Sequence, residues 1–136
     1  MRDMTDPRAA ENYAVVKRYA EAWLAGDLAT VAASYHDDIV LYYGGANPFS
    51  GVHSGKPAAL KVLGAISQRV QRKLLAVIDV MAGPERACVV VRERFARFDE
   101  THELERTLLY RIEDGRLREC WVFDQDQALI DRLLAD

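Results

Sequence analysis

Three arginines, an aspartate and a histidine are the side chains of this 136-residue chain best suited to chemistry. Arg92 and Arg94 lie two apart in one apolar run, Arg106 stands in the next, and Asp124 ends the last, Cys120-Trp-Val-Phe-Asp124. Side chains alternate between the faces of a strand. Counting by twos therefore puts Cys88, Val90, Arg92 and Arg94 on one face, with Arg106, Leu108 and Tyr110, then Cys120, Val122 and Asp124. If that face is concave, its guanidiniums and Asp124 form a polar pocket end able to grip a carboxylate, phosphate or enolate. The competing reading is that Glu93, Arg94, Arg97, Glu103 and Glu105 make the hairpin a set of solvated cross-strand ion pairs, since unpaired buried charge is costly. His53, whose type titrates near 6.5, is the natural general acid or base if its loop folds over a pocket, and an ordinary exposed histidine if it does not. His36 beside Asp37-Asp38 reads as a helix-end surface residue and His102 as an exposed turn residue. No zinc-site spacing of histidines is present, and no metal is expected.

The elements that must position these groups follow from periodicity. Asp6-Pro7 is an N-cap followed by proline at the first helical position, and Val16, Tyr19, Ala20, Trp23 and Leu24 recur at helical spacing, giving a first helix over 7–25. Gly26 stops it, and Asp27 caps a short second helix through Leu28, Val31, Ala32 and Tyr35. Residues 39–43 form an aromatic strand, and 44–55 a long Gly/Asn/Pro/Ser-rich loop of the kind that borders sites, carrying Phe49 and His53. A third helix starts at Pro57, with Leu60, Leu63, Ile66 and Val70 as its stripe. Strands over 74–82, 86–98, 102–113 and 116–124 follow, with Asp114-Gly115 as a hairpin turn, and 125–134 shows a short helical face. The expected architecture is α+β, with helices against one face of a mainly antiparallel sheet.

Composition narrows the function classes. Half the residues are hydrophobic and no linker, repeat or low-complexity run divides the chain, so a single domain over 1–136 is expected. The net charge of −3, with arginines interleaved among acids, argues against a nucleic-acid partner. The N-terminal stretch has no apolar signal core and no run reaches the ~18 apolar residues of a membrane span, which points to a cytoplasmic protein without a membrane partner. Cys88 and Cys120 read as reduced core thiols.

The stretches Val15-Val-Lys-Arg-Tyr19, Ala25-Gly-Asp-Leu28 and His36-Asp-Asp38 resemble the opening of the nuclear transport factor 2-like superfamily. The resemblance is to its ketosteroid isomerase and SnoaL-like polyketide cyclase branches. The loop Gly45-Ala-Asn-Pro-Phe-Ser-Gly51 and the strand end Trp121-Val-Phe-Asp-Gln-Asp126 are similar to SnoaL-like sequences, and the element order agrees over nearly the whole chain. The resemblance implies a cone-shaped, strongly curved, mainly antiparallel sheet wrapped around three helices, with a central apolar pocket, no cofactor and commonly a homodimer. It does not fix a reaction, because this fold hosts isomerases, cyclases, epoxide hydrolases and pure binding modules. Carried over by position, Tyr19 matches the tyrosine that donates to an oxyanion and Tyr35 a supporting tyrosine. The isomerase base falls on Tyr43 and its carboxylic acid partner on Leu108, so both carboxyl groups are missing. Of the epoxide hydrolase set, Arg106 remains, with Leu108 and Val122 at the carboxylate places.

Two function classes follow. One is a cofactor-free enzyme of isomerase or cyclase type on an apolar, polyketide- or steroid-like metabolite. Its catalytic candidates are Tyr19, His53 and Asp124, with Tyr35, Tyr43, Phe49, Arg92, Arg94, Arg106, Tyr110 and Val122 against the substrate. The other is a non-catalytic small-ligand-binding or scaffold protein. Apolar alternation at Val89, Val91, Phe95, Trp121 and Phe123 suggests an outer sheet face that pairs two copies.

Overall fold

A computed structural model describes residues 6–136; the expectation that the N-terminus lacks a leader falls partly on residues outside that range. The order is α1 (Pro7–Ala25), α2 (Leu28–Ser34), β1 (Tyr35–Tyr43), β2 (Gly51–Ser54), α3 (Lys56–Arg69), β3 (Gln71–Ala82), β4 (Arg86–Arg97), β5 (Glu100–Glu113), β6 (Arg116–Asp124) and α4 (Gln127–Leu134). The six strands form one mostly antiparallel sheet, ordered β2-β1-β6-β5-β4-β3, curled around the helices. Only β1 and β6 run parallel. No helix among the described residues is long and apolar enough to cross a membrane.

The local signals act as read. The Asp6 carboxylate accepts the Arg8 amide, and Gly26 ends α1 at φ 74°, a left-handed conformation that glycine adopts without a Cβ penalty. The Asp27 side chain caps α2. The faces of Val16, Tyr19 and Ala20 on α1 and of Ala59, Val62 and Ile66 on α3 are buried in one core with the inner sheet face. At one end Ile130, Leu133 and Leu134 of α4 are fully buried, and Arg69 and Arg97 donate to its last carbonyls.

Three element boundaries differ from expectation. β1 begins at Tyr35 rather than 39, and this makes His36 a strand residue, 8% exposed, instead of a surface helix end. The expected loop 44–55 contains β2, which pairs with the end of β1. β4 stops at Arg97, because Phe98 and Asp99 both take positive φ (57° and 59°) and form a two-residue hairpin loop.

That loop also decides which face Arg92 and Arg94 occupy. With two loop residues, an odd-numbered residue of β4 sits opposite an even-numbered one of β5: Val91 faces Arg106, and Glu93 faces Leu104. Directly paired residues share a face. The concave face of β4 is therefore Ala87, Val89, Val91, Glu93 and Phe95, all buried, and Arg92 and Arg94 point outward with Cys88 and Val90. The expected alternation holds on β5 and β6 and is reversed on β4. Val89, Val91 and Phe95 accordingly leave the outer face, where Phe123 remains, 55% exposed, with Trp121 stacked on Tyr42 at 5.1 Å.

A bulge completes the arrangement. β5 and β6 meet at another two-residue turn, Asp114-Gly115, but the pairing slips between Arg111 and Ile112, leaving Arg118 as the extra residue of β6. The Arg118 guanidinium donates to the Asp38 carbonyl, tying the bulge to β1. Without that slip Arg106 would lie opposite Phe123. With it, Arg106 lies opposite Asp124.

Candidate functional site

The cone encloses a cavity of about 400 Å³, walled mostly by apolar side chains of α1, α2, α3 and the inner faces of β1, β5 and β6. Two polar groups interrupt the apolar wall. They stand four residues apart on β5, at Arg106 and Tyr110, some 13 Å at the usual rise of a strand.

At the first, Arg106 is 2% exposed. Its Nε donates to Asp124 Oδ1 at 2.5 Å and its Nη2 to Asp124 Oδ2 at 3.2 Å, a two-pronged pair. Nη1 donates to Glu93 Oε1 at 3.1 Å, and Nη2 also to the Tyr43 hydroxyl at 2.9 Å. Arg72 approaches the other Glu93 oxygen at 4.0 Å, while its Nε donates to Ser67 and its Nη2 to the Leu63 carbonyl. Two guanidiniums thus face two carboxylates whose side chains are 1% and 2% exposed, and the cluster is formally neutral. Burial works against the Arg106 charge, but Tyr43, Glu93 and Asp124 outweigh it and hold the guanidinium protonated well above its ordinary range. Arg106, Arg72 and Tyr43 line the cavity; the two carboxylates stand behind them, outside the wall. Tyr43 accepts from Arg106, and no acceptor among the described residues takes its own proton, so a polarised O–H donor is left for the cavity.

At the second, three buried phenols form a chain. The Tyr110 hydroxyl donates to Tyr19 at 3.1 Å, and Tyr19 and Tyr35 are bonded at 3.1 Å. Three O–H groups make two O–H···O bonds, so one proton remains over: that of Tyr19 if Tyr35 donates to it, that of Tyr35 otherwise. Burial pushes the Tyr19 phenol up to about 12, with a further push from the neighbouring Cys120, and burial likewise raises Tyr35 and Tyr110 well above the ordinary phenol range. These hydroxyls are fixed donors and poor bases at neutral pH. Burial also raises the Cys120 thiol to about 12, which removes it as a nucleophile.

Of the residues singled out by sequence, Tyr19, Tyr35, Tyr43, Arg106, Tyr110 and Val122 come together on the cavity wall. Asp124 reaches the site only through Arg106. His53 lies on β2 with Nε2 held by the Phe49 carbonyl at 2.8 Å, and Phe49 is buried beneath the Arg69 guanidinium; neither is on the wall. Arg92 is exposed and pairs loosely with Glu105 at 3.6 Å, while Arg94 stands outward between Lys73 and Glu103. The expected triple-arginine grip is therefore reduced to Arg106, joined by Arg72 from β3.

Glu93, Arg72 and Ser67 were not anticipated. Glu93 could have been found from its phase with Val89, Val91 and Phe95, which sets a carboxylate on an otherwise apolar face. Arg72 could not, because β3 carries two irregularities of pairing, between Leu74 and Ala76 and between Val77 and Asp79.

A second cluster lies away from the cavity. His36 Nε2 stands 3.7 Å from Glu113 and 3.6 Å from Asp114, and the three could share an ion. Its Nδ1 accepts the Asp38 amide at 3.0 Å, so Nε2 of the neutral ring carries the hydrogen and presents it to the carboxylates, an arrangement for a proton rather than a metal.

Residues 16–120 match the family described as SnoaL-like domain. Among solved structures, a Xanthomonas campestris protein of unknown function with a cystatin-like fold superposes with a TM-score of 0.86 at 24% identity, over 92% of this chain and 98% of that one. An NTF2-like protein of Burkholderia xenovorans gives 0.74 at 23% identity, over 93% and 97%. TerC, co-crystallised with polyporic acid, gives 0.78 at 13% identity, over 91% and 98%. At these identities the likeness is one of fold. No curated protein matches the chain.

Proposed function

The chain belongs to the SnoaL-like domain family of the nuclear transport factor 2-like superfamily, and on that footing we propose that it binds a small, uncharged, mostly apolar molecule bearing carbonyl-type oxygens. The observation that carries this reading is the imbalance of the wall. Tyr43 and the tyrosine chain each leave one hydroxyl proton over, while the cavity is lined by no carboxylate or histidine. A ligand supplying acceptors satisfies the donors; an anion would find both guanidiniums already paired with Glu93 and Asp124. A neighbour of the same fold, TerC, was crystallised with polyporic acid, which is compatible with a cavity for an organic ligand.

The test is a titration with prodan, an uncharged naphthyl ketone whose emission reports polarity. The parent should bind it with a blue shift, and Tyr43→Phe and Tyr19→Phe should each weaken binding by about 3–10-fold, the worth of one hydrogen bond. No binding up to the solubility of the dye, or affinity untouched by both variants, would overturn the reading.

A second reading, an acid–base enzyme of isomerase or cyclase type, is favoured by one feature. The Tyr43 hydroxyl is polarised by a buried guanidinium, a donor suited to a developing enolate oxygen. It needs a base from the substrate or a bound water, because His53 and Asp124 are engaged elsewhere. Exchange of ketone α-protons into deuterated buffer, faster with protein than without and slowed by Tyr43→Phe, would favour it over binding alone.

The proposal includes a homodimer in a reducing cytoplasm, the setting that suits free Cys88 and Cys120. Phe123, the Tyr42–Trp121 stack and the half-exposed Ile78 and Met81 give the outer sheet surface its apolar character. Light scattering should report twice the chain mass, and Phe123→Glu should return it to the monomer value.

A further inference from the structure

The fold has no backbone use for glycine at position 64. Gly64 lies inside α3, more than a turn from either end, and its φ is outside the left-handed region that makes glycine necessary elsewhere in the chain. Close packing does not require it either, since a Cβ built there would meet nothing within 4 Å. Glycine inside a helix is destabilising relative to alanine, so two ordinary reasons for tolerating it are absent.

What Gly64 does have is a place on the cavity wall, with Leu60 one turn before it and Ser67 one turn after. These three are the exposed wall residues of α3, whereas Ala59 on the same wall is buried, so they mark where the cavity meets solvent. From α2 the wall takes Leu28, Val31 and Ala32, and Leu28 is 72% exposed. The mouth thus has a leucine on each helix as an apolar lip and an open glycine within it.

Resting on the binding reading above, we propose that Gly64 is the threshold of the ligand passage: the empty space over its Cα is the path of an uncharged, ring-sized molecule, and the residue at this position sets what can enter. A side chain there raises the barrier to entry and exit together, whereas a lost wall contact speeds exit alone.

Stopped-flow fluorescence with prodan, alongside thermal melts, separates these outcomes for the parent, Gly64→Ala, Gly64→Leu and Gly64→Phe. Lys61→Leu, an exposed position of α3 off the wall, serves as control. Gly64→Ala should raise Tm by about 2–5 °C through helix propensity with near-parental affinity. Gly64→Leu and Gly64→Phe should melt no lower than the parent yet slow association and dissociation each by about tenfold or more, while the control exchanges dye at parental rates. Parental rates in Gly64→Phe, or weaker binding through faster dissociation alone, would overturn the threshold. A parent that does not bind prodan overturns the binding reading itself and the threshold with it, so the two failures are distinguishable.

Discussion

Around Arg106, charged side chains of three neighbouring strands are drawn together beneath the cavity wall; around Tyr110, four residues along the same strand, three hydroxyls meet with no formal charge among them. The two ends obey different constraints. A buried charge is tolerated only when its partners are in place, so Arg106 spends its donors on Asp124, Glu93 and Tyr43 and is closed to an incoming anion. A buried phenol is neutral, and a chain of three leaves a donor over. The end richest in reactive residue types is therefore the less available one, and the chemistry offered to a ligand at both ends is a phenol proton.

This contrast can be broken by deletion. Arg106→Met should cost about 3–5 kcal/mol in urea unfolding, because it leaves Asp124 and Glu93 buried without their cation. A loss under about 1 kcal/mol would mean the carboxylates reach water and the end is not closed. Tyr43→Phe should cost less, about 1–3 kcal/mol, for one N–H of a buried guanidinium left without an acceptor.

At the neutral end Tyr19→Phe should cost about 1 kcal/mol at pH 7. Its sharper signature is in alkali. With the folded-state phenol at about 12 against an ordinary 10, its contribution is fully present below pH 10 and is lost as pH rises towards 12, where the unfolded chain ionises first. The alkaline limb of the stability profile should therefore be shallower in Tyr19→Phe than in the parent, and an unchanged limb would place Tyr19 in contact with solvent.

The smallest effect belongs to neither end and serves as a reference. Glu100, bonded at the hairpin tip to Arg132 of α4 and to His102, has its carboxyl lowered from 4.5 to about 2. That contribution is present above about pH 4.5 and is lost as pH falls towards 2. The group is fully exposed, so Glu100→Gln should only slightly flatten the acid limb, and raised salt should erase the difference.

The sequence by itself determined the elements and their order, because these rest on local physics: Asp6 and Asp27 as caps, Gly26 at a left-handed φ, and Asp114-Gly115 as a turn. It also identified the tyrosines and Arg106, whose parity on β5 depends on alternation within one strand. Only the tertiary structure decided which arginines face the cavity and what holds them. Facing is set by pairing, and pairing turned on the two-residue loop at Phe98-Asp99 and on one extra residue at Arg118. The first exchanged Arg92 and Arg94 for Glu93, and the second brought Asp124 opposite Arg106. A shift of one residue in a strand leaves composition and periodicity untouched yet turns every side chain to the other face, so the neutral end was legible and the charged end was not.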